Sequence, residues 1–321
     1  TIPHSGGFMD TLAVDIGDFH IPPKEIPDIL PQHLLMLKVA AAAMSDAGLP
    51  PRKDRPRMGV IIGLDFDYEA TNFHFRWSLS KLVREWAMRY HPELTPAQTR
   101  AWLKALQDDA SPALTATRTL GALAGIVASR IAKEFKFGGP SFIVSAAESS
   151  GLKALEIGAR SLQQGETDAV LVGAVDFNAD LRGIITVGGR EHFSATGEVR
   201  PFDRDADGTL PGDGAVALVL KPCAKAIADG DRIYAVIKGI GNASGGGIDT
   251  GGASARCYTT ALKRAFYEAD ISPSAIGMVE THGSGIPAQD RMESRVLHDF
   301  FAVSDSRPAI GATKANIGHS G

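Results

Sequence analysis

Apolar residues recur along the chain at spacings that alternate between helix and strand. Across residues 33–47, Leu34, Leu37, Ala41 and Met44 stand three or four apart, which predicts a helix stopped at Gly48. MGVIIG at 58–63 is a short continuous apolar run and predicts a buried strand. Residues 66–113 hold Trp77, Trp86 and Trp102 in helix-like pieces broken at HPELTP and DDASPA, and read as an insertion or interface layer. From 115 to 135 one helix is predicted, with Leu120, Leu123, Val127 and Ile131 on one face.

The order then becomes regular. A strand at 141–146 leads to a helix at 149–164 with Leu152, Leu155, Ala159 and Leu162 on one face, and a strand follows at 169–175. After a turn-rich segment at 194–214, strands are predicted at 215–220 and 234–241. A helix at 253–269, a strand in IGMVETHG, a helix at 287–302 and a strand in PAIGAT complete the chain. This is βαβαβ, a connector, and βαβαβ again: an α/β fold whose apolar strands form parallel sheet covered on both faces. We expect one domain over 1–321, with a first half at 1–193 carrying the 66–113 insertion and a second half at 194–321. Ligands of such sheets bind beyond the carboxyl ends of the strands.

Composition narrows the function classes. The 321 residues are 44% hydrophobic, enough for a large core, and the net charge of −4 gives no electrostatic case for nucleic acid or an anionic membrane. Cys223 and Cys257 are the only cysteines and form no CxxC pair, which points to a reducing, cytoplasmic compartment. No run of about 18 apolar residues predicts a membrane span, and TIPHSGGFMD lacks the pattern of a signal peptide.

Several segments imitate binding motifs. PFDRDADGTLPGDG at 201–214 begins like a calcium loop, but loop position twelve is Gly214 rather than a bidentate glutamate, so it reads as a carboxylate-rich structural turn. GIGNASGGG at 239–247 departs from GxGxxG and reads as a glycine-rich loop. The nine histidines show no metal-ligand spacing, so no metal is expected. His282 and His319 differ from the rest because each sits in a glycine-flanked turn, THGSG and NIGHSG, and Lys314 lies five residues before His319. The strand-to-helix turn SAAESSG at 145–151 presents Glu148, where such a turn ordinarily presents a nucleophile.

With these motifs in order, the chain resembles the β-ketoacyl synthase family, the acyltransferases that perform condensation in fatty acid and polyketide synthesis. The likeness is carried by PQHLLMLKVAAAAMSDAG, GPSFIVSAAESSGLKAL, RPFDRDADGTLPGDGAVALVLK, VETHGSGIPAQDRMES and IGATKANIGHSG. It implies a thiolase-like fold of two βαβαβ halves, with dimerisation through strand 141–146. The family forms a thioester on a cysteine and decarboxylates a malonyl unit held on the phosphopantetheine arm of an acyl carrier protein. By resemblance His282 and His319 are the two catalytic histidines, Lys314 the supporting lysine, and Glu148 stands in the cysteine position. Ser149 matches a serine that follows the cysteine. The arm-binding pattern HGTGT is here HGSGI, so Ser284 keeps a hydroxyl and Ile286 does not. The chain is expected to be a fragment, lacking the family's first strand and its C-terminal glycine-rich segment.

A carboxylate is a poor nucleophile toward a thioester, so condensation by this chain is not expected. The resemblance then implies a non-condensing chain-length factor that pairs with an active ketosynthase, of the type in polyunsaturated-fatty-acid and polyketide synthases. The alternatives are a malonyl decarboxylase using His282 and His319, and a structural remnant that completes a dimer. Either a homodimer or a heterodimer is compatible with these readings, and no bound cofactor is expected. An anionic Glu148 is further expected to raise the pKa of the nearer histidine.

Overall fold

In the computed structural model, residues 5–65, 71–177, 181–189, 191–245, 253–304 and 307–320 are described. Strand β1 (Met58–Leu64) is buried at every position and lies inside a four-stranded sheet of order β2-β1-β3-β4. β2 (Ser141–Val144) and β3 (Ala169–Asp176) flank β1 in parallel, with Ile62 opposite Ile143 and Ile61 opposite Val172. β4 (Gly214–Leu220) runs antiparallel to β3, with Gly173 opposite Ala217. The all-parallel expectation therefore fails at this strand. An apolar run such as AVALVL reports strand and not direction, which the path of the connecting chain sets, and Val216 and Leu218 on it are about half exposed, so the expected cover on both faces is missing here as well. That path includes a helix the apolar pattern did not predict, Leu181–Gly188.

One face of the sheet is covered by α1 (Pro31–Asp46) and by the helix Ile126–Phe135, which bury Met36, Leu37, Met44 and Ile131 against Val60, Ile62 and Leu171. The helix predicted over 115–135 is two: Ala116–Ala122, then Ile126–Phe135. The break follows a tertiary contact, because the Gly121 carbonyl accepts the Leu30 N–H at 3.1 Å and the chain turns at Leu123. Leu120 and Leu123 are left half exposed, whereas Val127 and Ile131 are buried.

Within the segment read as an insertion, α2 (Thr71–Tyr90) and α3 (Pro96–Ala110) form a helical hairpin. Thr95 caps α3 in a reciprocal box with Gln98, and Trp86 meets Trp102 with ring centroids 6.3 Å apart. Trp77 is 77% exposed on this hairpin. Residues 66–70 of the predicted insertion lie outside the described residues. With α2 and α3 placed, the two pieces after them are α4 (Ala116–Ala122) and α5 (Ile126–Phe135).

The other face of the sheet carries α6 (Ser150–Gln163). Its fully buried positions are Ser150, Ala154, Gly158 and Ser161, a stripe of small residues, with the predicted Leu155 and Leu162 packed partly buried beside them. Leu152 is exposed. The helix sits too near the sheet for larger side chains: a Cβ on Gly63 would lie 2.5 Å from the Ser150 carbonyl carbon. This close approach fixes the start of α6 against the end of β1.

The second half follows α7 (Leu181–Gly188) and β4, with α8 (Cys223–Asp229), α9 (Ala255–Ala269), β5 (Met278–Glu280), α10 (Pro287–Ala302), β6 (Ala309–Gly311) and α11 (Lys314–Ile317). β5 and β6 pair in parallel, Val279 opposite Ile310. The strand predicted at 234–241 joins no ladder among the described residues. It lies along α9 instead, where the Ile240 N–H donates to Glu268 at 3.3 Å and Arg264 donates to the Asn242 carbonyl at 2.6 Å. Arg160 on α6 grips Glu268 on α9 through two hydrogen bonds of 2.6 Å. The end of the glycine-rich loop, residues 246–247, lies outside the described residues, as does Gly321.

Candidate functional site

Beyond Val144 the chain leaves the sheet through an exposed turn and enters α6. Ala147 has φ +49°, an unusual conformation for a residue with a Cβ. The buried Ser150 hydroxyl holds it there, accepting the Ala146 N–H at 2.9 Å and donating to the Ala147 carbonyl at 2.5 Å. The next side chain, Glu148, is thereby presented half exposed at the mouth of the turn. Ser149 occupies the helix cap position without a side-chain capping bond and is exposed.

His282 follows β5. Its N–H and that of Gly283 donate to the two oxygens of Glu293 on α10 at 2.8 and 2.9 Å, and Tyr258 donates its hydroxyl to the same buried carboxylate. Burial, followed by that carboxylate, pushes the Tyr258 pKa up. His319 is held by the 201–214 turn: its N–H donates to the Leu210 carbonyl at 2.7 Å, and its carbonyl accepts the Gly212 N–H at 2.9 Å. Gly318, with φ +79°, passes so close that a Cβ would stand 2.5 Å from the Pro211 oxygen. The same turn receives the N-terminal segment through Gly7 N–H to Pro211 O at 2.9 Å. Its carboxylates serve the turn itself, with Asp207 accepting from Ser194, Ala195 and Thr196. This is the structural turn that its sequence predicts.

These segments bring Glu148, His282 and His319 together. The imidazoles meet edge to face with centroids 5.5 Å apart, and His319 Nε2 is 3.9 Å from Glu148 Oε2. Lys314, at the start of α11, is near enough for its charge to act on His319. The His319 pKa is lowered to about 4, the reverse of the expected direction. Burial is the largest cause; Glu148 pushes it upward, while Lys314 and His282 push it down. Removing the imidazolium from water outweighs one half-exposed carboxylate.

A fourth group, Glu191, was not picked out by any motif or spacing. Burial, then the charge of Glu148 and a hydrogen bond to its side chain, raise the Glu191 pKa to about 7, with Lys314 opposing. The only sequence signal was position, just beyond the unpredicted helix α7.

Ser284 and Ile286 are buried at the start of α10. Ser284 is fully buried; its hydroxyl accepts the Ile286 N–H at 3.1 Å and lies 3.4 Å from Asp290 Oδ1. Ile286 is buried. The expected ligand-facing hydroxyl is thus committed to the first turn of α10, because the serine is enclosed by its own chain. Beside the cluster runs a groove of about 580 Å³, with Glu148, Glu191 and His319 among apolar residues that include Leu152, Leu155, Val216 and Leu218.

The profile of the β-ketoacyl synthase N-terminal domain matches residues 2–226, and that of the C-terminal domain matches residues 234–321. The chain belongs to the β-ketoacyl synthase family. This ketosynthase-family chain is 32% identical over 321 residues to a mycocerosic acid synthase-like polyketide synthase of Mycobacterium tuberculosis (strain ATCC 25618 / H37Rv), covering 98% of this chain and 13% of that protein. It is 31% identical to polyketide synthase PksL of Bacillus subtilis (strain 168), covering 98% of this chain and 6% of the relative. It therefore spans a small part of each relative. Among solved structures, a ketosynthase from module 1 of the bacillaene synthase of Bacillus amyloliquefaciens FZB42 superposes with TM-score 0.71 at 26% identity, covering 95% of this chain and 51% of that one. A structure described as PfaC keto synthase-chain length factor superposes with TM-score 0.80 at 26% identity, covering 98% and 33%. The fold is thiolase-like. Among the described residues no helix is long and apolar enough to cross a membrane.

Proposed function

We propose that this ketosynthase-family domain does not condense acyl units and acts as a chain-length-factor-like partner of an active ketosynthase in a polyketide- or polyunsaturated-fatty-acid-type synthase. Its working partner would be an acyl carrier protein, presenting substrate on a phosphopantetheine arm. The observation that carries this reading is Glu148, presented by a hydrogen-bonded elbow at the position that the sequence resemblance matches to the family's cysteine. A thiolate at a helix start attacks a thioester; a carboxylate there does not form a lasting acyl bond. The similarity to the keto synthase-chain length factor structure supports the same reading. Cys223 and Cys257 are unpaired, which accords with a cytoplasmic setting.

Incubation of the chain with acyl-CoA or acylated carrier protein, followed by intact mass measurement, is expected to show no adduct. A stable acyl group on residues 145–151 would sink the proposal. Decarboxylation of malonyl carrier protein is the second reading, favoured by the paired imidazoles, whose ring centroids are 5.5 Å apart. Against it stands the charge of Glu148, since two anions about 4 Å apart repel by roughly 1 kcal/mol in water and about 4 kcal/mol near a protein surface. Turnover is expected to be absent in both the native chain and Glu148→Gln. A gain of about tenfold or more in the variant would make the enzymatic reading the better one.

The outer edge of β2 lies at the border of the sheet, with Phe142 partly exposed beside it. Its unpaired backbone groups suit a strand from a second subunit, identical or an active ketosynthase. Light scattering is expected to report a dimer with itself or with the cognate ketosynthase. A chain that stays monomeric in both conditions would count against this assembly.

A further inference from the structure

We propose that Glu148, His282 and His319 form a binding site for one divalent transition-metal ion of the zinc class, with Glu191 available as a further carboxylate behind Glu148. One donor atom from each of the three lies within 4.8 Å of the others. Zinc bonds of about 2.0–2.2 Å place tetrahedral ligands roughly 3.4 Å apart, so closure needs each pair to approach by no more than about 1.5 Å. The exposed Glu148 side chain and the partly exposed His282 ring have the freedom to supply that movement.

Two further observations point to a ligand. His319 Nε2 is buried with no hydrogen-bond partner, its side chain is 10% exposed, and it stands 3.9 Å from Glu148 Oε2. A buried ring nitrogen of this kind ordinarily has a partner. The second is charge. Glu191 lines the same groove as Glu148 and His319, so two carboxylates and the unpartnered imidazole face one space.

The supporting backbone is rigid. Glu293 fixes the main chain at His282 and Gly283, while Leu210 and Gly212 fix it at His319. Ligands held this way lose little freedom on binding an ion. Two imidazoles and a carboxylate match the His₂Glu set of zinc sites that keep an open coordination position. That position would face the groove lined by Glu148, Glu191 and His319. The three ligands come from three separated segments, so no spacing in the sequence could reveal them. The site does not depend on the chain serving as a chain-length factor.

The test uses the full chain, stripped of metal by a chelator and titrated with Zn²⁺ by calorimetry and with Co²⁺ by visible absorption. One equivalent is expected to bind, with a ligand-field spectrum of low coordination number. Glu148→Gln and His319→Ala are each expected to weaken Zn²⁺ binding by at least about tenfold. His91→Ala, on the distant helical hairpin, is expected to change nothing. Failure to bind one equivalent, or equal binding by native chain, Glu148→Gln and His319→Ala, overturns the proposal. If circular dichroism shows His319→Ala misfolded, the half-exposed Glu148→Gln decides alone. Acylation is read separately by mass, so either idea can fail without the other.

Discussion

Glu293→Ala is expected to cost on the order of 3–5 kcal/mol of folding stability, read from chemical denaturation. The carboxylate is 2% exposed and accepts from the main chain of His282 and Gly283 and from the Tyr258 hydroxyl. Alanine would strand all three donors in a place water does not reach, at about 1–3 kcal/mol for each unsatisfied group. Glu293→Gln keeps one oxygen acceptor and is expected to fall between the native chain and the alanine variant. A loss of less than about 1 kcal/mol in the alanine variant would mean that the His282 turn is held by something else.

Acid is expected to destabilise the chain between about pH 6.5 and 4.5, through two histidines. His33 and His319 both have pKa values lowered to about 4; burial is the main cause in each, reinforced at His33 by Arg130. Between 4 and 6.5 the unfolded chain takes up protons at these positions and the folded chain does not. Stability is therefore complete above 6.5 and falls as pH drops through that window, by about 3 kcal/mol per histidine at the end of it. Glu191 works the other way. Its folded pKa of about 7 stands above the ordinary 4.5, so its contribution is present below 4.5 and is lost as pH rises to 7. Over the shared range one histidine and Glu191 offset each other, leaving a net slope of about one proton, or about 1.4 kcal/mol per pH unit. Denaturation midpoints across pH 4.5–7.5 check this. In His33→Leu the remaining two groups cancel and the profile is expected to flatten; an unchanged slope would remove His33 from the account.

Much of this was legible because hydrophobic runs report burial directly. β1, β3, α1 and α10 lie near their predicted bounds, and His282, His319, Lys314 and Glu148 converge as their turns suggested. The misreadings share a cause in tertiary contact. Of the leucines at helical spacing in 149–164, Leu155 and Leu162 pack against the sheet as expected, but the tight approach buries Ser150, Ala154, Gly158 and Ser161 most deeply and leaves Leu152 exposed. YAVIKGIG has strand composition, yet among the described residues it joins no ladder, and its Ile240 N–H donates to Glu268 on α9. The direction of β4 and the presence of Glu191 beside Glu148 are set by the path through α7, which no local pattern reports.

The clamp around His319 has a consequence in time. Met9 and Asp213 meet across 204 positions, and the Pro211 turn that receives the N-terminal segment also receives Gly318 and His319. Such closures cost chain entropy before their contacts return any of it. On a ribosome, the elbow at Glu148 and the β1–β3 sheet have all their residues while His319 has yet to emerge. The nascent chain thus holds a carboxylate turn with His319 not yet opposite it, and chemistry that needs both must await the docking of His319.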